Sequence, residues 1–106
     1  MIQIRLATEV DTKEIIDFQL KMAMESEGLA LDPGTLEEGV EAVFRDPHKG
    51  KYYVAEDDKK IVGSMLITYE WSDWRNKWVF WLQSIYILPD CTSSAKLGHP
   101  FVKVKV

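Results

Sequence analysis

The feature that most constrains this chain is the stretch from Trp78 to Pro89, which stays apolar or aromatic on both alternating sides. Successive side chains of an extended chain point to opposite faces of a sheet. A strand that is apolar on both faces is typical of the middle of a sheet, where other layers cover it from both sides. We therefore expect a central, doubly covered strand here. One face would carry Val79, Trp81, Ile85 and Ile87, and the other Phe80, Leu82, Tyr86 and Leu88.

The composition indicates one globular domain in a reducing compartment. A chain of 106 residues with 46% apolar side chains has enough material for one ordinary core. The net charge of -4, without a block of like charges, argues against nucleic acid or an anionic membrane as a partner. A single cysteine, Cys91, excludes an internal disulfide. With no signal-peptide pattern at the start and no membrane-length apolar run, we expect a cytoplasmic protein.

The beginning of the chain predicts a strand followed by a helix. Residues 2–6 alternate between apolar and polar and read as a half-buried strand. Thr8 and Asp11 have the spacing of a helix start, with an acidic group near the positive end of the helix dipole. Apolar residues then recur with helical spacing over residues 15–24, and Gly28 is a plausible end of the helix.

A second helix is predicted to open at Thr35. Residues 32–34 are Asp-Pro-Gly, which is turn chemistry, and Glu38 completes a capping box with Thr35. A core-facing apolar stripe follows over residues 36–44, and Pro47 closes the helix.

The middle of the chain predicts a hairpin that leads into the organising strand. Residues 51–56 and 61–71 read as two strands joined by the polar turn 57–60. Gly63 inside the second strand suggests a bulge or close packing against a helix. The polar connection 71–77 then returns the chain to residues 78–88.

These elements define an α+β fold in the order β-α-α-β-β-β, with two helices and a mostly antiparallel sheet. After Pro89 the pattern changes, because residues 90–100 lack helical periodicity. Residues 101–106 alternate weakly and suit a short C-terminal edge strand, where lysines discourage further pairing. We therefore divide the chain into a domain over residues 1–89 and an atypical tail over 90–106.

Three segments in this order resemble the N-terminal half of the GNAT N-acetyltransferase superfamily. They are residues 4–11, a hairpin with Val-Ala-Glu (54–56) on one strand and Ile-Val-Gly (61–63) on the other, and the strand segment 83–89. The resemblance implies an acyl-CoA N-acyltransferase fold and transfer of an acetyl group from acetyl-CoA to an amine. It also implies that the backbone of Ile85, Tyr86 and Ile87 binds the pantetheine arm of acetyl-CoA as co-substrate.

The resemblance stops at Asp90. The family continues with an Arg/Gln-x-x-Gly-x-Gly/Ala loop that opens a helix and holds the pyrophosphate on backbone amides. Residues 91–98 contain one glycine and no such spacing. We therefore expect a truncated or replaced C-terminal half, with weak acetyl-CoA binding by the single chain.

Four residues near the end of the third strand are candidates for acceptor chemistry. Glu70 and Asp73 are candidate general bases for an amine, and the alternative is a solvated turn. Trp71 and Trp74, with Trp78 and Trp81 nearby, are candidates for a cation–π pocket for a small amine. The alternative for these tryptophans is cross-strand packing.

Metal and thiol chemistry have little support in the sequence. His48 and His99 have no second ligand at metal spacing, so we expect no metal site. Cys91 has no activating base nearby in the sequence and is not predicted to be a nucleophile.

The rival interpretation is a non-enzymatic module that dimerises or binds a partner. An uncovered edge beside strand 78–88 would invite pairing with the tail or with a second copy. On this interpretation we expect a homodimer formed through that edge or through residues 101–106.

Overall fold

The computed structural model describes residues 2–89 and 104–105. Its strands form one antiparallel sheet in the order β1-β2-β3-β4-β5, with two helices between β1 and β2. The predicted α+β class and its element order are confirmed. The elements are β1 (Ile2–Leu6), a 3-10 turn (Glu9–Asp11), α1 (Thr12–Glu27), α2 (Pro33–Arg45), β2 (Lys51–Asp57), β3 (Lys60–Ser72), β4 (Lys77–Ile87) and β5 (Val104–Lys105).

The junction between β1 and α1 is fixed by one carboxylate. Asp11 accepts hydrogen bonds from the Thr8 amide at 2.8 Å and from both terminal nitrogens of Arg5 at 2.9 and 3.0 Å. The predicted capping box between Thr8 and Asp11 is present. Hydrogen bonds from Arg5 hold the pKa of the buried Asp11 carboxyl below its ordinary value, and the Thr8 amide acts in the same direction. Strand and helix are therefore joined by a charge-assisted, bidentate contact.

Helix α1 ends as predicted, and α2 begins earlier than predicted. Gly28 follows α1 in the left-handed conformation, at φ 63°, which glycine adopts without strain. The N-cap of α2 is Asp32, whose carboxylate accepts from the Thr35 amide at 2.9 Å. The predicted start at Thr35 is wrong because aspartate is an equally good cap and Pro33 suits the first turn of a helix.

Both helices pack on one face of the sheet. Ile15 of α1, Val40 of α2 and Val54 of β2 are buried together there. A second group joins Phe18 and Met22 of α1 to Tyr86 of β4. We call this side of the sheet the helix face.

A β-bulge at Ser84 changes which β4 side chains reach the helix face. Leu66 of β3 pairs with Gln83, whereas Ser64 pairs with Tyr86, so β4 carries one extra residue between them. Ser84 has a positive φ of 55°. An extra residue inverts the alternation of a strand, and for this reason Val79 and Tyr86 are buried together on the helix face. The predicted division of residues 85–88 between the two faces is wrong beyond this point.

The opposite side of the sheet, which we call the open face, is apolar and exposed. Neither helix covers it, and the described residues place no other element over it. Ile4 on β1 is 61% exposed, and Trp78 and Phe80 on β4 are 60% and 46% exposed. The predicted double covering of residues 78–88 and the half-buried β1 are therefore wrong. By register and alternation the open face carries Ile2, Ile4, Leu6, Tyr53, Ala55, Met65, Ile67, Tyr69, Trp71, Trp78, Phe80, Leu82 and Ile87.

The position of β4 in the sheet also differs from the prediction. The strand is next to one end of the sheet, and β3 is its middle strand. The predicted edge strand in the tail is present at Val104–Lys105, which pairs antiparallel with Leu82 and Trp81.

Gly63 gives a direct test of the β3–β4 contact. A Cβ at Gly63 would lie 2.7 Å from the carbonyl oxygen of Tyr86, so close packing is present, although the neighbour is a strand and not a helix. We expect Gly63→Ala to lower the free energy of unfolding by ~1–3 kcal/mol. Gly39→Ala in α2, where a Cβ has nothing within 4 Å, should raise it by ~0.5–1 kcal/mol.

Urea denaturation of the two variants beside the parent chain measures both effects. If both substitutions change the free energy of unfolding by the same amount, the close approach of β3 and β4 at Gly63 is contradicted.

Candidate functional site

The first candidate site is the end of β4, residues 85–87, which we call the edge segment. The Leu88 amide donates to the Val62 carbonyl of β3 at 2.8 Å. Because neighbouring residues of a strand point their backbone groups to opposite edges, the N–H and C=O of Ile87 point away from β3. In the described part of the chain, β5 pairs on that edge only with Trp81 and Leu82. The Ile87 amide is thus available there to an oxygen acceptor from outside the sheet.

Tyr86 joins the edge segment to helix α1. Its hydroxyl donates to the Glu25 carboxylate at 2.9 Å, and its ring lies 5.5 Å from the ring of Phe18. Burial, and secondly the hydrogen bond to Glu25, raise the pKa of Tyr86 to about 12. The middle residue of the edge segment is therefore anchored in the core, and its side chain is not free to meet a ligand.

Two further polar groups lie on the helix face beside the bulge. The Gln83 side-chain amide donates to the Thr68 hydroxyl at 2.8 Å. Ser64, opposite Tyr86, has a buried hydroxyl without a hydrogen-bond partner among the described residues. Buried polar groups usually have a hydrogen-bond partner. Gln83 and Thr68 follow this rule, and the Ser64 hydroxyl is an exception to it.

The second candidate site is a shallow pocket at the β3–β4 turn, which we call the tip pocket. It has a volume of about 240 Å³ and brings together all four residues predicted for acceptor chemistry. Two carboxylates beside indole rings favour a cationic group. Its lining residues are Glu70, Trp71, Ser72, Asp73, Trp74, Arg75 and Val79.

Part of the tip pocket is engaged in cross-strand packing. Glu70 accepts a hydrogen bond of 2.6 Å from the Trp81 indole. The rings of Trp71 and Trp78 meet edge to face, 5.4 Å apart. Trp74 at the turn is 94% exposed, so it is the aromatic side chain of the pocket that a ligand reaches most easily.

The structure does not bring the two candidate sites together. From Val79, in the tip pocket, to Ile85 is a span of about 20 Å at ~3.3 Å per residue of strand. A general base must reach its proton directly or through one water. Glu70 and Asp73 therefore lie too far away to act on a group held at the edge segment.

Glu25 is a carboxylate that the sequence analysis missed. It contacts Tyr86 although the two residues are 61 positions apart. The only sequence signal was an acidic residue in the last turn of α1, and nothing local connects it to β4. The contact arises from the docking of α1 on the sheet.

Metal and membrane features add little to the site. Among residues 2–89 and 104–105, no three metal-binding side chains lie together, and the Nδ1 atom of His48 lies 3.1 Å from the Asp46 carboxylate. Cys91 and His99 lie outside the described residues. In the part of the chain that the structure describes, no helix has the length and apolarity to cross a bilayer.

Comparison with known proteins gives a clear answer for the fold. No protein-family model and no curated protein matches the sequence. Among solved structures, a possible acetyltransferase from Clostridium difficile 630 is similar over 91% of this chain, with 40% identity and a TM-score of 0.83. This chain spans 63% of the length of that protein.

Two more distant structures have the same fold. One is a predicted acetyltransferase with acetyl-CoA from Clostridium acetobutylicum, with 14% identity, a TM-score of 0.70, and coverage of 88% of this chain and 64% of that one. The other is a GNAT family acetyltransferase from Staphylococcus aureus, with 13% identity, a TM-score of 0.67, and coverage of 87% and 66%.

The described residues therefore have the N-terminal part of the acyl-CoA N-acyltransferase fold, which is the fold that the resemblance to the GNAT superfamily predicted. The possible acetyltransferase from Clostridium difficile 630 is similar to this chain in sequence as well as in fold.

The Tyr86 contact predicts a dependence of stability on alkaline pH. The raised pKa means that the folded state holds the phenolic proton more tightly, so its contribution is complete below about pH 10 and is lost as the pH rises towards 12. Tyr86→Phe should cost ~1–2 kcal/mol at neutral pH and should flatten this loss.

Tyr52, whose pKa burial also raises to about 12, should account for the remainder of the loss. Urea denaturation at several alkaline pH values, with Tyr52→Phe and the double variant beside Tyr86→Phe, measures both parts. If the free energy of unfolding falls equally with rising pH in the parent chain and in all three variants, the loss does not come from these two tyrosines.

Proposed function

We propose that the chain binds acetyl-CoA along the edge segment and supports N-acetyl transfer to an amine. The observation that carries the proposal is the bulge at Ser84, beyond which the outward amide of Ile87 has no strand partner among the described residues. The similarity to a possible acetyltransferase at 40% identity supports it.

The chemistry requires a donor at the thioester carbonyl and a neutral amine. The amine nitrogen attacks the carbonyl carbon, the carbon–sulfur bond breaks, and the amine loses a proton while the thiolate gains one. A backbone amide is a suitable donor, because it is already oriented towards the oxygen on which charge develops. We assign this donor role to Ile87, with Ile85 and Tyr86 as the neighbouring backbone of the same cofactor-binding segment.

The residues fit one half of acetyl-CoA. The edge segment suits the thioester and the pantetheine amides, which need hydrogen-bonding partners in an extended geometry. The pyrophosphate half would need a cluster of aimed amides, and the family's motif for it is missing from the sequence after Pro89. We therefore expect binding weaker than a dissociation constant of ~10 µM, about -7 kcal/mol.

The tip pocket is proposed as a separate site for the cationic part of an acceptor. Trp71 and Trp74 supply ring faces, while Glu70 and Asp73 supply negative charge. An acceptor that reaches from this pocket to the edge segment must be extended over about 20 Å, or ~6 residues of a peptide. A small amine would occupy only one of the two sites, which makes an extended amine the better candidate.

A second candidate function is that of a binding module without catalysis. Two observations favour it: the open face exposes a broad apolar surface, and the sequence lacks the phosphate-binding glycine pattern. On this alternative the chain has no N-acetyltransferase activity and acts by binding a partner or a second copy. Either function is compatible with the cytoplasmic location expected from the sequence.

A proline at position 87 tests the proposed cofactor site. Ile87→Pro removes the outward N–H and leaves the Leu88 bond to Val62 in place, and an outward-facing edge position tolerates proline. We expect acetyl-CoA to raise the melting temperature of the parent chain, and expect Ile87→Pro to abolish the shift. Ile87→Ala, which keeps the amide, should retain it.

Thermal-shift series with acetyl-CoA and with adenosine diphosphate separate the thioester half from the nucleotide. A melting temperature that is constant in the parent chain would favour the binding module. An equal shift in parent and proline variant would remove Ile87 from the site.

A further inference from the structure

We infer that Glu25 is a positioning residue for the proposed acetyl-CoA site. Through its hydrogen bond to Tyr86, it holds the end of β4 in the register in which the Ile87 amide points out of the sheet. The role given to Ile87 rests on the proposed function. The register that Glu25 selects is a property of the chain itself, and it can be measured without acetyl-CoA.

The direction of the Tyr86 side chain and that of the Ile87 amide are fixed together. Along a strand, side chains alternate between the two faces of the sheet and backbone N–H groups alternate between the two edges, both with a period of two. A slip of one residue therefore reverses both. In the register without the extra residue at Ser84, Tyr86 would point to the open face, and the Ile87 amide would bond to β3 instead of pointing outward.

Burial of apolar side chains discriminates poorly between these two registers. In the observed register, Tyr86 and Leu88 pack with α1 on the helix face. In the alternative register, Ile85 and Ile87 would take their places, so the pattern of apolar residues that normally fixes a register is nearly the same in both. The observed register also holds Ser84 at a positive φ of 55°, which is unfavourable for a residue other than glycine. A specific contact must therefore favour it.

The hydrogen bond of 2.9 Å from the Tyr86 hydroxyl to the Glu25 carboxylate is specific to the observed register. Neither Ile85 nor Ile87 has a hydroxyl group with which to replace it. A charged acceptor makes this bond stronger than one between neutral groups. Glu25 lies in the last turn of α1, where a carboxylate is unfavourable with the helix dipole. The stability of the helix therefore does not account for Glu25, whereas its contact with Tyr86 does.

Amide hydrogen exchange of the 106-residue chain, measured by NMR, reports the register directly. The Tyr86 amide points to β3, as the Leu88 amide does, and should be protected, while the Ile87 amide should exchange quickly. We expect Glu25→Ala to accelerate exchange at Tyr86 ~10-fold relative to Tyr53. The Tyr53 amide lies in the β2–β3 ladder away from the bulge. A general loss of stability would accelerate both amides equally, so the ratio of the two rates measures the register.

Three further variants separate the contact from other effects of the substitution. Glu25→Gln keeps an oxygen that accepts from the Tyr86 hydroxyl, and its ratio should stay within ~3-fold of the parent. Glu27→Ala removes the same charge from the same end of α1, where Glu27 has no hydrogen bond or ion pair with the other described residues, and should leave the ratio unchanged. Tyr86→Phe should act like Glu25→Ala, and the double variant should add nothing further.

The inference is overturned by equal acceleration at Tyr86 and Tyr53, by a response to Glu27→Ala as large as that to Glu25→Ala, or by a Tyr86 amide that exchanges as fast as that of Ile87 in the parent chain. Acetyl-CoA added to the parent chain tests the proposed function separately. Because it should bind only the register with the Ile87 amide outward, it should slow exchange at Tyr86. If it does not, the proposed function fails, and the comparison without acetyl-CoA still decides whether Glu25 sets the register.

Discussion

The left-handed backbone of Ser84 is the constraint on which the arrangement of this molecule depends. Its positive φ of 55° accommodates one residue more on β4 than on β3. A non-glycine residue in this region costs about 1–2 kcal/mol, so the surrounding packing must offset it. Tyr86 supplies that packing by burying its ring against Phe18 and bonding to Glu25. Without the bulge, Tyr86 would point to the open face and would lose its contacts with Phe18 and Glu25 of α1.

The bulge also explains which parts of the structure the sequence could predict. Helix ends, the hairpin turn and the order of elements follow from local chemistry, as at the Thr8–Asp11 cap and Gly28. The faces of β4 did not, because alternation counted along residues 78–88 has no sign of an inserted residue at Ser84. Apolarity on both sides of a strand also does not reveal whether a second layer is present. The exposure of Trp78 and Phe80 reflects the placement of both helices on one side.

The candidate sites show the same division between local and non-local information. Glu70, Trp71, Asp73 and Trp74 are close in sequence, and the structure places them around one pocket. Their separation from the edge segment follows from the length of β4, which a motif does not convey. Glu25 is the opposite case, since only the docking of α1 on the sheet brings it to Tyr86. The tip pocket could therefore be predicted from residues that are close in sequence. The contact of Glu25 with Tyr86 could be found only in the folded structure.

The antiparallel order of the sheet carries a consequence for how the chain folds. Strands β2, β3 and β4 are consecutive in sequence and joined by short turns. Their pairing therefore costs little entropy of loop closure. Strand β1 reaches β2 only across both helices, and the contact of Arg5 with Glu56 spans 51 positions. Long-range pairing of this kind limits the rate of folding in small domains. We therefore expect the consecutive strands β2, β3 and β4 to pair early in folding, and expect β1 to join the sheet late, when Arg5 meets Asp11.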